Sequence, residues 1–291
     1  MVSKYPVFVL CGRDEKKRKL IRELDPDEIY KVKSLLPFLG KRVIDWQLNA
    51  LIESPYVDEL YLLGITEEMA KFDFPVHYVP VPTVSSVAAK LLAGLEYLRS
   101  IGKDDRLVVV SSSDTPGITT ESINKFFEEL EHYKDYDYVQ AVVEDGFTKE
   151  VFPDHQRVVG KFKDFQVYPG ELYAMSEYGI TQCNDIIEEI GGGRRRIKKK
   201  ARTKKSSALL PILKLFLKTP STWLLIISFI LGNLKLKGGE KIVSRISKGK
   251  VKAVIINDVG FGMDIDLVED YEKIKKFVSE KYNIPYTEGL S

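Results

Sequence analysis

The stretch Leu107-Val108-Val109-Val110-Ser111-Ser112-Ser113-Asp114-Thr115-Pro116-Gly117 decides how the chain is read. A short apolar run dominated by β-branched residues suits a strand covered on both faces better than a helix. The serines, and then Asp-Thr-Pro-Gly, end it with turn chemistry.

The same pattern recurs outward from this point. Val7-Phe8-Val9-Leu10-Cys11, closed by Gly12, reads as the first strand, with Glu59 to Leu63 and Val76 to Val79 as further ones. Helical spacing falls between the strands, from Val43 to Ile52, briefly from Glu67 to Lys71, and from Ser85 to Leu98. Downstream, a helix is expected from Thr119 or Thr120, with Ile123, Phe126, Phe127 and Leu130 on its apolar face. Tyr138 to Val143, Leu172 to Met175 and Val251 to Ile256 read as strands, and Leu267 to Tyr282 as a terminal helix capped by Asp266. Apolar strands alternating with amphipathic helices predict a three-layer α/β/α, Rossmann-like core around a mostly parallel sheet. Ligands of such sheets bind at the carboxyl ends of the strands, so the chemistry is expected just after each strand.

Composition agrees. The chain has 291 residues, 44% hydrophobic and 30% charged, which is enough to bury a sizeable core. A net charge of +2 gives no argument for a nucleic-acid partner. The two cysteines, Cys11 and Cys183, form no metal or disulfide pattern and suit a reducing cytoplasm. The first residues lack the apolar core of a secretion signal. No GxxxxGK[ST], GxGxxG or GxSxG occurs. His77, His132 and His155 are scattered and read as structural or surface residues.

Three places can carry chemistry. Gly12 ends the first strand, where backbone N–H groups can approach phosphate, and Lys33 and Lys41 flank Leu35-Leu36-Pro37-Phe38-Leu39-Gly40 downstream. Asp114 follows the strongest strand, in position to hold a hard divalent cation; an Asp capping a turn is the plainer reading. Asp264 and Asp266 are two apart on an extended piece and point the same way. Either can face a metal, with Asp266 also able to cap the last helix.

Taken in order, strand–Gly12, Lys33-x-Leu-Leu-Pro-x-x-Gly-Lys41, strand–Asp114-x-Pro116 and Asp264-x-Asp266-x-x-x-Asp270 resemble the molybdopterin-guanylyltransferase-like (MobA-like) branch of the nucleotidyltransferases. The resemblance covers roughly residues 5 to 145 and 250 to 282. It implies that Leu10, Cys11, Gly12, Arg13 and Lys33 line the triphosphate and that Ser85 and Ser86 lie near the base or ribose. Lys33 and Asp114 would be catalytic, and Asp114, Asp264 and Asp266 would hold Mg²⁺. The implied reaction joins an NTP to a phosphorylated sugar, polyol or cofactor precursor and releases pyrophosphate. A nucleotide-sugar-dependent glycosyltransferase and a non-catalytic nucleotide-binding module are the alternatives; Asp114-Thr115-Pro116 in place of Asp-x-Asp speaks against the first. Here Gly12 runs into Arg13-Asp14-Glu15-Lys16-Lys17-Arg18-Lys19 with no second glycine, leaving open which of Arg13, Lys17 or Arg18 serves as the family's arginine.

Residues 191–249 read as a basic and apolar helical insertion in a core formed by 1–190 and 250–291. Within it, Arg194 to Lys205 is intensely basic and Trp223 to Leu231 is apolar but too short to span a membrane. Segment 194–231 could cover the core or a homodimer interface, or lie on an anionic membrane; nucleic acid is the least favoured partner.

Overall fold

A computed structural model describes residues 3–12, 19–103, 107–155, 157–182 and 220–290. Its centre is an eight-stranded mixed sheet in the order β10-β7-β9-β6-β1-β4-β5, with β8 paired to β9. The strands are β1 Tyr5–Leu10, β4 Val57–Leu63, β5 His77–Val79, β6 Val108–Ser112, β7 Tyr138–Glu144, β8 Gly160–Lys161, β9 Gln166–Met175 and β10 Val251–Ile255. A separate hairpin pairs β2 Pro37–Phe38 with β3 Lys41–Arg42. Pairings β1–β4, β1–β6, β4–β5 and β7–β10 are parallel, while β9 runs antiparallel between β6 and β7. The carboxyl ends of β1, β6, β7 and β10 therefore share one edge.

Side chains alternate across the sheet as a period of two requires. Val7 and Val9 enter one core with Ile44, Leu48, Ile123 and Phe126, from α2 Val43–Ile52 and α4 Thr120–Leu130. Phe8 enters the opposite core with Leu91 and Leu95 of α3 Val87–Ser100. Burial on both faces explains the unbroken apolar strands, and the three-layer α/β reading stands.

Particulars differ from the sequence reading. Glu67 to Lys71 forms a single turn closed by Met69 and Ala70 N–H donating to Thr66 O at 3.0 and 3.1 Å, since five residues are too few to offset helix nucleation. The polar stretch after Gly12 contains α1 Lys19–Leu24, which buries Leu20 and Ile21. Two further short helices follow β7 and β9, α5 Asp145–Val151 and α6 Glu177–Gln182. Leu172 to Met175 is the end of a ten-residue strand. The apolar run becomes α7 Trp223–Ile230, followed by α8 Leu236–Ser247 beside β10. Asp266 does not cap the terminal helix α9 Val268–Tyr282: Leu267 is the N-cap residue and its N–H donates to Asp270 Oδ2 at 3.0 Å. Asp266 is drawn instead to Lys33.

Candidate active site

Four pieces of backbone meet at the carboxyl edge of the sheet. The first is the end of β1. Gly12 has φ +127°, and a Cβ there would stand 2.2 Å from Thr83 O and 2.5 Å from Lys90 Nζ, so only glycine suits the position. Lys90 reaches from the first turn of α3 and donates to Cys11 O at 2.6 Å and Thr83 O at 3.0 Å. One buried ammonium thus ties the Gly12 loop to the turn carrying Ser85 and Ser86. In that turn Ser85 N–H donates to Pro82 O at 3.0 Å, and Ser86 Oγ accepts from Ala89 N–H at 3.2 Å as the cap of α3. Leu10 O accepts from Ser113 Oγ at 2.9 Å, fixing β1 against the end of β6. Burial pushes the Cys11 thiol up to about 12, so it stays protonated. Arg13 lies outside the described residues, as do Arg194 to Lys205.

The second piece presents Lys33 on a short 3-10 turn, Lys33–Leu35. Buried Asp25 organises the chain just before it, accepting from the N–H groups of Ile29, Tyr30 and Lys31 at 2.7, 3.0 and 2.9 Å. The third is the turn after β6, where Asp114 is 6% exposed. Buried Gln47 of α2 steadies this turn, donating to Ser111 Oγ at 2.6 Å and accepting from Thr115 N–H at 3.1 Å.

The fourth is the segment after β10. Gly260 packs so closely on Gly117 that a Cβ would lie 1.9 Å from Gly117 O. That approach brings Ile265 N–H to Asp114 O at 3.1 Å, and the flanking Asp264 and Asp266 join Asp114. The three carboxylates offer oxygens within 4.8 Å of one another, the one such acidic or metal-ligating group among the described residues. Two cations meet them. Lys33 Nζ ion-pairs with Asp114, lies 3.1 Å from Asp266 Oδ1 and donates to Ile265 O at 3.0 Å. Arg157 ion-pairs with Asp264 and donates from Nη2 to Asp264 O at 3.0 Å. Burial opposes the Arg157 charge, but Asp264 and Glu171 outweigh it and push the guanidinium further up.

Behind Arg157, its backbone N–H donates to His155 Nδ1 at 3.4 Å, and His155 Nε2 stands 3.1 Å from Oδ1 of Asp145, the first residue of α5. The imidazole is buried, which lowers its proton affinity although Asp145 works the other way. Lys90, Arg157, Gln47 and Asp25 were not singled out in the sequence. Lys90 alone left a signal, as a lysine on the face of a helix that otherwise turns Leu91, Gly94 and Leu95 inward.

Residues 30–183, just over half the chain, match the model of the MobA-like NTP transferase domain. The chain belongs to that family. The matched span holds Lys33, Ser85, Ser86, Lys90, Asp114 and Arg157. This nucleotidyltransferase also shares its fold with a hypothetical transferase from Thermus thermophilus, at 19% identity and a TM-score of 0.63 over 92% of this chain and 99% of that one. A CMP:2-keto-3-deoxy-manno-octonic acid synthetase complexed with CTP superposes with a TM-score of 0.54 at 10% identity, over 96% and 99% of the two chains. No curated protein matches the sequence. The family makes the chain an enzyme and places it among the nucleotidyltransferases rather than the glycosyltransferases.

Proposed function

We propose that this nucleotidyltransferase couples an NTP to a phosphorylated sugar, polyol or cofactor precursor, using Mg²⁺. The observation that carries the reading is the convergence of Asp114, Asp264 and Asp266 around Lys33, beside the Gly12 loop. Three carboxylates suit a hard divalent cation, and Mg²⁺ bound there would neutralise phosphate oxygens and align the triphosphate.

An oxygen of the acceptor's phosphate attacks the α-phosphorus in line. The bond from that phosphorus to the bridging oxygen of the β-phosphate breaks, and pyrophosphate leaves with the electron pair. The protein supplies position and charge. Backbone around Leu10 to Gly12 cradles the phosphates, and the Arg13 charge is assigned to the same phosphates. Lys33 neutralises charge that builds up on the phosphates, worth about 3 kcal/mol if it acts as one well-placed donor does. Ser85 and Ser86 border the nucleoside. Residues 191–249 form an insertion in the core of 1–190 and 250–291. A free, buried Cys11 suits the reducing cytoplasm.

The test is pyrophosphate release with Mg²⁺ across CTP, UTP, GTP and ATP against a panel of phosphorylated acceptors. CTP heads the panel because the synthetase that shares the fold is complexed with it. Release that requires one NTP, one acceptor and Mg²⁺ supports the reading. NTP hydrolysis indifferent to every acceptor, or no NTP binding at all, overturns it.

A further inference from the structure

Helix α7 has two apolar faces, and among the described residues only one is covered. Ile226 is buried with Leu234 and Ile242, and Phe162 and Phe229 pack beside them. The other face carries Leu224, Ile227, Ile230 and Leu231 at 82, 53, 69 and 67% exposure, with Trp223 half exposed. At ~100° per residue these positions fall within an arc of about 120°, so they make one continuous stripe. Large contiguous apolar surface of this kind marks a contact face rather than ordinary exposure.

The charge around the stripe is predominantly basic, although exposed Asp164 accepts from Leu236 N–H at 2.8 Å beside it. Lys235, Lys237, Lys241 and Arg245 are exposed on and just before α8. No Asp or Glu occurs in the sequence from Arg194 to Gly239, whereas Arg194 to Lys205 holds nine Lys and Arg among twelve residues. No helix among the described residues is long and apolar enough to cross a membrane. A second copy of the chain docked stripe to stripe would bring two basic surrounds together, a like-charge arrangement that costs affinity. An anionic lipid surface complements both features, taking the apolar stripe at its acyl boundary and the lysines at its headgroups.

We propose that α7 lies in the plane of an anionic bilayer surface with Leu224, Ile227, Ile230 and Leu231 inserted, holding the enzyme peripherally at the membrane. This does not depend on the reaction assigned above. The full chain is sedimented with vesicles of phosphatidylcholine alone and of phosphatidylcholine with roughly a third phosphatidylglycerol. Binding is expected to be at least about tenfold stronger to the anionic vesicles and to weaken in ~0.5 M salt. It should fall by about tenfold or more in the double variant Leu224→Glu, Ile230→Glu, both at exposed positions, with an unchanged circular dichroism spectrum. Absence of binding to anionic vesicles, or equal binding by the double variant, overturns the proposal. So does a dimer, detected by light scattering, that the double variant dissociates while vesicles bind neither form; the stripe would then belong to a second copy.

Discussion

Lys33 bridges Asp114 and Asp266: its Nζ ion-pairs with the first and stands 3.1 Å from the second, so one ammonium links the turn after β6 to the segment before α9. Lys33 and Asp114 are both largely buried, and removing one partner of a buried pair leaves the other uncompensated. Lys33→Met is therefore expected to lower the stability of the metal-free protein by ~3 kcal/mol. Mg²⁺ should recover more of the thermal midpoint in the variant than in the wild type, because the cation replaces the missing charge. Turnover should fall by about 100-fold or more even with Mg²⁺ present, since the phosphates lose a positioned donor. Thermal unfolding with and without Mg²⁺, alongside steady-state kinetics, reads both effects; an unchanged midpoint and kcat would remove Lys33 from the site.

Lys90 supports the Gly12 loop through Cys11 O and Thr83 O. Lys90→Met leaves both carbonyls without that donor, at a cost of about 1–3 kcal/mol in stability. With the loop assigned to NTP binding and not to bond-making, the NTP KM is expected to rise more than kcat falls. Gly12→Ala disturbs the same loop from the other side, its Cβ falling 2.5 Å from Lys90 Nζ. A fall in kcat as large as the rise in KM, in both variants, would contradict a purely supporting role.

The buried His155 imidazole sits below its ordinary value of 6.5, with burial the main cause. The sign follows from linkage: the unfolded chain takes up a proton at a higher pH than the native ring does. The contribution is complete above about pH 6.5 and is lost as the pH falls through the lower native value. Urea midpoints should decline from pH 7.5 to 5.5, and the decline should be smaller in His155→Gln, which keeps a polar group beside Asp145. The same decline in the variant would assign the effect to other groups.

Cys11 is buried, with its thiol held up to about 12. In a Cys183→Ser background the native protein is expected to resist a thiol reagent at pH 8 and to react fully once unfolded in guanidinium. Rapid reaction in the native state would mean that the end of β1 opens in solution.

Parts of this architecture were legible because the residues that specify them are local. A both-faces-buried strand such as Val108–Ser112 shows as a continuous apolar run. The amphipathic α4 shows its period, and Asp114 is found by its place after a strand. Only the end of the antiparallel β9 is legible: Pro169 and Gly170 interrupt its first part, and its direction depends on a non-local choice of neighbours. Arg157 left no trace, since an arginine beside His155 acquires its meaning only when the chain brings Asp264 to it from after β10. Gln47 and Asp25 were hidden for the same reason: each satisfies backbone or hydroxyl groups that only the folded chain places within reach. The cap of α9 slipped by one residue because Asp266 has a stronger partner in Lys33.

The most direct test of nucleotidyl transfer at the Asp114 site follows two labels in one reaction, with the NTP carrying radioactive phosphorus at the α or the γ position. The account predicts α-label in the acceptor product and γ-label in pyrophosphate, both depending on Mg²⁺ and both abolished in Asp114→Ala. Transfer of γ-label to the acceptor, or α-transfer that survives Asp114→Ala undiminished, would contradict it.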